Sequence, residues 1–355
     1  MRVVVDGVFF QRYLTGIARV WWSVLSEWKS MGVAGEVVVL DRDHTLPAIG
    51  GYEKVVIPRH DYAHLETDRM LLQRVCDQVG ADVFVSTYFS FPERTASVVM
   101  VHDMTPEVTG TISPGPMWDE KREAIKRATR WVCVSNHTRA DLLRLYPQIP
   151  SANVKVAHCG VWPVFAQAPA EKIAALKERM GVDRPYYLTV GPHAVEKNTR
   201  VIFQGFMQFA QREEHLLVSA GARPNVHPVL AEAIDQRLLK LPGRLSDEDL
   251  ATAYSGAEAL LYPSIYEGFG LPLLEAMACG CPVITSRVAS LPEVAGEAGI
   301  YVDPRNPAEV AEAMVRVKEL TVRERCVRMG LERAKGFSWR KMAEEVWKVV
   351  GEAAG

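Results

Sequence analysis

Glu267 and Glu275 stand eight positions apart in the stretch Tyr262-Pro-Ser-Ile-Tyr-Glu-Gly-Phe-Gly-Leu-Pro-Leu-Leu-Glu-Ala-Met-Ala-Cys-Gly-Cys-Pro-Val-Ile-Thr285. What lies between them decides what two carboxylates at that spacing can do. Gly268, Phe269 and Gly270 make a loop whose backbone can pass close to a ligand, and Pro272 occupies a favoured first-turn position, so a helix opens near Leu271. Gly280 and Pro282 stop it. The unpaired N–H groups and dipole at such a helix start bind anions. Glu267 lies on the loop, and Glu275 about one turn into the helix, with its side chain leaning back toward the N-terminus. Carboxylates repel phosphate but accept hydrogen bonds from hydroxyls, so the expected ligand carries hydroxyls on either side of its phosphates. A nucleoside-diphosphate sugar has that layout. A dinucleotide fingerprint would need a third glycine where Leu273 stands, and hydride transfer loses support.

Two domains, or one of the large barrel type, are available to position such a site. The chain has 355 residues, which at ~150 residues per domain excludes one small domain. Lysine and arginine number 41 against 43 aspartate and glutamate, so no global basic field points to a nucleic-acid partner. The apolar fraction of 48% and charged fraction of 24% are those of a folded globular chain. Six cysteines without a C-x-x-C spacing are expected to be reduced and buried. Met1-Arg2-Val3-Val4-Val5-Asp6 turns polar too soon for a signal segment, and no apolar run approaches the ~18 residues of a membrane span. A cytoplasmic location is the expectation.

Apolar runs of strand length alternate with helix-period segments, the pattern of parallel α/β layers. Strands are expected at 3–5, 37–40, 82–85, 98–101, 131–134 and 154–157, then at 186–190, 216–220, 238–241, 259–262 and 283–285. Ile17, Val20, Trp21, Val24, Leu25 and Trp28 put an apolar stripe on a helix between the first two. Periodicity lapses from Gly160 to Pro169, which reads as a linker. The domains are therefore set at 1–165, joined by the last helix 338–355, and at 166–337. Ser338 caps that helix, and Trp339, Met342, Ala343, Val346, Trp347 and Val350 form its stripe.

The Glu267-x7-Glu275 stretch resembles the donor-binding signature of retaining GT-B glycosyltransferases of family 4, and of bacterial surface-polysaccharide mannosyl- and hexosyltransferases among them. Further matches are Thr15-Gly-Ile-Ala-Arg19, Val101-His-Asp103, Val134-Ser-Asn-His-Thr-Arg139, Val190-Gly191 with Glu196-Lys-Asn198, Leu291-Pro-Glu-Val294 and Phe337-Ser-Trp339. The resemblance implies an α/β fold of two facing Rossmann-like domains with parallel sheets, the last helix crossing back to the first. It implies that Glu275 accepts the donor ribose hydroxyls and Glu267 those of the transferred sugar. Backbone N–H groups near Gly270 and Leu271, with Lys197, would hold the diphosphate. Many relatives place an arginine beside this lysine or after the strand glycine, where this chain has Glu196 and Pro192, so neutralisation rests on Lys197 alone or is shared with Arg244. Gly16 would let the donor approach, His102 would contact the transferred sugar or steady positive charge at its anomeric carbon, and Asp103 would orient that loop.

The reaction so implied is hexosyl transfer with retention, the acceptor hydroxyl attacking on the leaving-group face and a diphosphate oxygen taking its proton. No strong metal-ligand cluster is visible, so no metal cofactor is expected, and the helix start and Lys197 would do that work. Mannose from GDP-mannose is the first expectation, with UDP-linked and other hexoses open. A GT-B phosphorylase or sugar-nucleotide epimerase, and a non-catalytic sugar-nucleotide binding module, are the competing classes. The acceptor is expected to be a glycan or lipid-linked saccharide. From Met117 to Arg144 seven basic residues face four acidic ones, open to two readings: a solvated helix face, or peripheral contact with anionic lipid at the inner membrane face.

Overall fold

The computed structural model describes the chain apart from residues 13–15, 112–114, 192–194 and 222–226, so Thr15 and Pro192 of the motifs above lie outside the described residues. Two compact units emerge. Unit 1 is Met1–Gly160 with Ser338–Gly355, and unit 2 is Val161–Phe337. The sequence sets this division at 165/166. Phe165 is buried with its ring 6.2 Å from that of Tyr254, and Ala168 N donates to Ser255 Oγ at 3.0 Å, so the chain from Val161 onward packs as part of unit 2.

Unit 1 holds strands β1 (Val3–Asp6), β2 (Val37–Arg42), β3 (Glu53–Ile57), β4 (Val83–Ser86), β5 (Ser97–Val101), β6 (Arg130–Cys133) and β7 (Val154–Val156). They form one sheet in the order β3-β2-β1-β4-β5-β6-β7, all pairs parallel. The central strands are fully buried, which explains their unbroken valine runs. β3 escapes the apolar pattern because it is an edge strand with Glu53 and Lys54 exposed. Unit 2 holds β8 (Tyr186–Val190), β9 (Leu216–Ala220), β10 (Leu239–Gly243), β11 (Leu260–Tyr262), β12 (Val283–Ser286) and β13 (Gly299–Val302), in the parallel order β10-β9-β8-β11-β12-β13. Its core gathers Tyr187, Phe203, Phe206, Leu217, Ile284 and Val310.

The strand order reverses between β1 and β4 in one sheet and between β8 and β11 in the other. Open parallel sheets place ligands at such switch points, beyond the carboxyl ends of the strands. Lys197 follows β8 and Glu267 follows β11.

The last helix, Trp339–Ala354, packs in unit 1 against the helix Gly16–Ser30. Ser338 accepts from Lys341 N as its cap, Trp28 Nε1 donates to the carbonyl of Ala343 at 2.9 Å, and the Trp28 and Trp347 rings meet edge-on at 5.1 Å. Gly160 permits this seat, since a β-carbon there would lie 2.1 Å from Trp339 N. All six cysteines are buried free thiols. No helix among the described residues is long and apolar enough to cross a membrane.

In the basic segment, Arg122 pairs with Asp119, Lys126 with Glu123 at 3.2 Å and Arg144 with Asp141 at 2.8 Å, while Arg139 donates to the carbonyls of Val154 and Ser151. The first three of these thus pair within the segment, and Lys121 pairs outside it with Glu107.

Candidate functional site

β11 ends at Tyr262, and the chain crosses a loop to Gly270, the cap of the helix Leu271–Ala278. Gly270 has φ 106°, a left-handed conformation that favours glycine, and a β-carbon there would press on Leu291 at 3.0 Å. Pro272 then fits the first turn, where no N–H is required. Ser290 Oγ lies 2.8 Å from the carbonyls of both Glu267 and Phe269, and the Phe269 ring rests edge-on against Phe337 at 5.7 Å. These contacts fix the loop that carries Gly268 and Glu267. The amide end of the helix therefore faces the loop, as an anion site requires.

Lys197 closes the 3-10 turn after β8. Its Nζ donates to Glu267 Oε1 at 2.8 Å and Oε2 at 3.0 Å, and to Tyr262 Oη at 2.7 Å. Burial pulls the ammonium pKa down, but Tyr262 and Glu267 outweigh it and hold the group firmly protonated. Burial also pushes the Tyr262 hydroxyl up, so it stays neutral. One backbone and one side-chain hydrogen bond sew this turn to the β11 loop: Ile265 N donates to the Glu196 carbonyl at 2.9 Å, and Asn198 Nδ2 to that of Pro263 at 2.9 Å. Glu196 thus serves through its main chain.

Glu275 is buried in the helix, and its Oε2 accepts from Tyr254 Oη at 3.1 Å. Burial, and then the Glu275 carboxylate, raise the Tyr254 hydroxyl well above its ordinary value, keeping it a donor. Arg244 is exposed in the loop after β10, at the same edge of the sheet.

In unit 1, Gly16 opens its helix at an exposed position with nothing within 4 Å of a would-be β-carbon. His102 directly follows β5 and is buried, and its Nε2 finds no hydrogen-bond partner among the described residues. Burial outweighs the opposing pull of Asp103 and, with a smaller contribution from the Lys121 charge, pushes its pKa down to about 4. The imidazole is neutral at pH 7. Asp103 Oδ1 accepts from Thr105 N at 2.9 Å, turning the chain into the short helix Thr105–Thr109.

Four contributors are not legible as such in the sequence. Tyr262 and Ser290 lie inside or beside the signature but carry no distinctive type. Tyr254 sits on the helix Asp247–Gly256 with only its burial to single it out, and Lys121 stands among surface-like charges. Among the described residues no group of three or more His, Cys, Asp or Glu is placed to hold a metal ion.

Residues 14–163 match the model of Glycosyltransferase Family 4, and residues 184–319 that of Glycosyl transferases group 1. The O-antigen chain mannosyltransferase B of Escherichia coli is 33% identical over 226 residues, covering 61% of this chain and 59% of that protein. The chain spans less than two thirds of the length of the curated relatives it matches. Sucrose-phosphate synthase from Thermosynechococcus elongatus superposes with a TM-score of 0.80 at 19% identity, over 99% of this chain and 98% of that one. Anabaena Alr3699/HepE, solved with UDP-glucose, superposes with a TM-score of 0.77 at 14% identity, over 99% and 100%.

Proposed function

Because the chain belongs to glycosyltransferase family 4, with the group 1 model on its second unit and a GT-B fold, we propose that it moves a hexose from a nucleoside-diphosphate sugar to a saccharide hydroxyl. The observation that carries this is the Lys197 ammonium, held by Glu267 and Tyr262 beside the start of the helix Leu271–Ala278.

On donor binding Lys197 exchanges a carboxylate oxygen for a phosphate oxygen, and the freed Glu267 takes the hydroxyls of the sugar. Tyr262 keeps hold of the ammonium through the exchange. Glu275, braced by Tyr254, accepts the ribose hydroxyls. As the bond from the anomeric carbon to the diphosphate breaks, charge grows on the leaving oxygens, where Lys197 and the helix amides are preorganised to meet it. The acceptor hydroxyl attacks from the same face and passes its proton to a diphosphate oxygen, so configuration is retained and no metal ion is called for. A neutral His102 suits a developing positive charge, which an imidazolium would repel.

Mannose is the sugar favoured by the name of the Escherichia coli relative, and GDP-mannose the first donor to try, ahead of UDP-linked hexoses. The acceptor is a glycan or lipid-linked saccharide, and the ion pairs that hold Arg122, Lys126 and Arg144 favour a solvated face at 117–144 over lipid contact.

A panel of nucleotide sugars read by thermal shift tests the donor. Binding to the folded state at 100 times Kd stabilises by about 2.7 kcal/mol. Lys197→Ala and Glu275→Ala should remove that shift, and Lys197→Ala should lower kcat by about 100-fold or more. Nucleoside diphosphate should appear only when an acceptor is supplied. Absence of any shift across the panel, or full binding and turnover in both variants, would overturn the reading.

A further inference from the structure

Unit 1 buries a second set of charges that the transfer reading leaves unused. Arg42, at the end of β2, is 0% exposed. Its Nε and Nη2 donate to the two oxygens of Asp6 at 2.9 and 2.7 Å, while Nη2 also reaches Asp68 Oδ2 at 2.9 Å and Nη1 reaches Asp68 Oδ1 at 2.5 Å. Ser90 Oγ donates to Asp6 Oδ2 at 2.6 Å. Asp68 Oδ2 lies 3.0 Å from His60 Nδ1, and His60 Nε2 lies 3.1 Å from Glu120 Oε2. A neutral imidazole has one N–H and can serve only one of those carboxylates, whereas the imidazolium serves both. The ring also stands edge-on to Tyr62 at 4.8 Å.

Glu120 belongs to the helix Pro116–Arg127, and the next residue on that helix, Lys121, is buried too. Its Nζ donates to Glu107 at 2.9 Å and to the main-chain carbonyl of Asp103 at 3.3 Å, and it lies 5.4 Å from the ring centre of Phe89 and 5.5 Å from that of Trp118. One helix is thus fastened through Glu120 to the ends of β1 and β2, and through Lys121 to the turn that follows His102. For packing alone an apolar side chain would serve as well, since burying an ion pair costs desolvation. What only a cation supplies is both a donor to the Asp103 carbonyl, just after His102, and a positive charge that the imidazole feels.

We infer that Lys121 is a positioning residue for His102. It fixes the main chain behind the ring and adds to the burial that already disfavours a charge there, and the chain Arg42–Asp68–His60–Glu120 seats the helix that delivers it. The catalytic meaning of this rests on the transfer proposed above, but its physical content does not.

The test is an NMR titration of the His102 imidazole, without substrate, in the unaltered chain and in Lys121→Met, Lys121→Arg and Glu120→Gln. Lys121→Met should move the His102 midpoint upward from about 4 and, with donor and acceptor present, lower kcat by about 10- to 100-fold while donor KM stays within about twofold. Lys121→Arg should restore both. Glu120→Gln should move the midpoint in the same direction by less. A folded Lys121→Met with an unmoved His102 midpoint overturns the inference. Should Lys121→Met not fold, an unmoved midpoint in Glu120→Gln does the same. A moved midpoint in a chain that transfers no sugar would leave the positioning role standing and sink the proposed reaction instead.

Discussion

Arg42 and Lys197, one in each unit, are both cations held against carboxylates, Arg42 at the end of a parallel strand and Lys197 just beyond one, and they are used in opposite ways. Arg42 is fully buried, its rigid fork spent on Asp6 and Asp68. It has nothing left to offer a ligand. Lys197 keeps 22% of its side chain exposed, and its partner Glu267 keeps 11%. A compact ammonium on a flexible stem can trade one oxygen for another, whereas a bidentate guanidinium cannot do so without breaking two bonds. Saturation and burial mark the positioning cluster; partial exposure and a tyrosine hydroxyl that can retain the cation during exchange mark the binding site.

The sharpest way to break this comparison is Arg42→Met. It strands Asp6 and Asp68 as buried charges and should cost about 3–5 kcal/mol in denaturant melts, while Lys197→Met, with a partner nearer to water, should cost far less. Equal losses would erase the distinction. Next comes the pH dependence of stability. Burial pulls the His60 imidazole down, but its bonds to Asp68 and Glu120 outweigh this and push its pKa up to about 9. Arg42 and Asp6 stand behind Asp68, and Tyr62 stands against the ring. The stability His60 adds is therefore whole below about 6.5 and is lost as pH rises through 9. His102 works the other way: held neutral to about 4, it makes the fold lose stability as pH falls below about 6.5, where the unfolded chain gains a proton the folded one refuses. Melting temperature against pH should show both limbs, and His60→Gln should flatten only the alkaline one.

Tyr262→Phe should weaken donor binding by about 1.5–3 kcal/mol, the size of a hydrogen bond to a charged group, read by calorimetry. An unchanged affinity would mean that Lys197 needs no anchor while it changes partners. The smallest effect is expected of Tyr254→Phe, about 1 kcal/mol on donor affinity, because Glu275 remains anchored in its helix and loses one neighbour.

Much of the scaffold is legible in the sequence, and the exceptions have physical causes. Tyr186–Val190 and Leu216–Ala220 are continuous buried runs, and their strands have those bounds. β3 is hidden by its exposed edge, and β13 is short and opens on a glycine. The helix Leu320–Ala334 buries Cys326, Gly330 and Ala334, small residues at fourfold spacing that make no hydrophobic stripe. The helix Pro307–Arg316 does carry its signals, the cap Asn306 and Pro307 in the first turn. For the site, Glu267 and Glu275 are visible by type and spacing and Lys197 only through the family resemblance, whereas the tyrosines that hold them are not visible, since a buried phenol looks like any other core aromatic until its hydroxyl is located.

What the sequence alone determines is local. Glycine and proline punctuation sets where the helix Leu271–Ala278 begins, the interval between the two glutamates puts one on the loop and one a turn into the helix, and Ser338 with the stripe behind it sets the last helix. What only the tertiary structure decides is which charge answers which. Lys197 meets Glu267 across 70 residues, Arg42 meets Asp6 across 36, and His60 meets Glu120 across 60. Hydrogen bonds act over about 3 Å of space, and it is the stacking order of parallel strands, not distance along the chain, that brings those groups within reach.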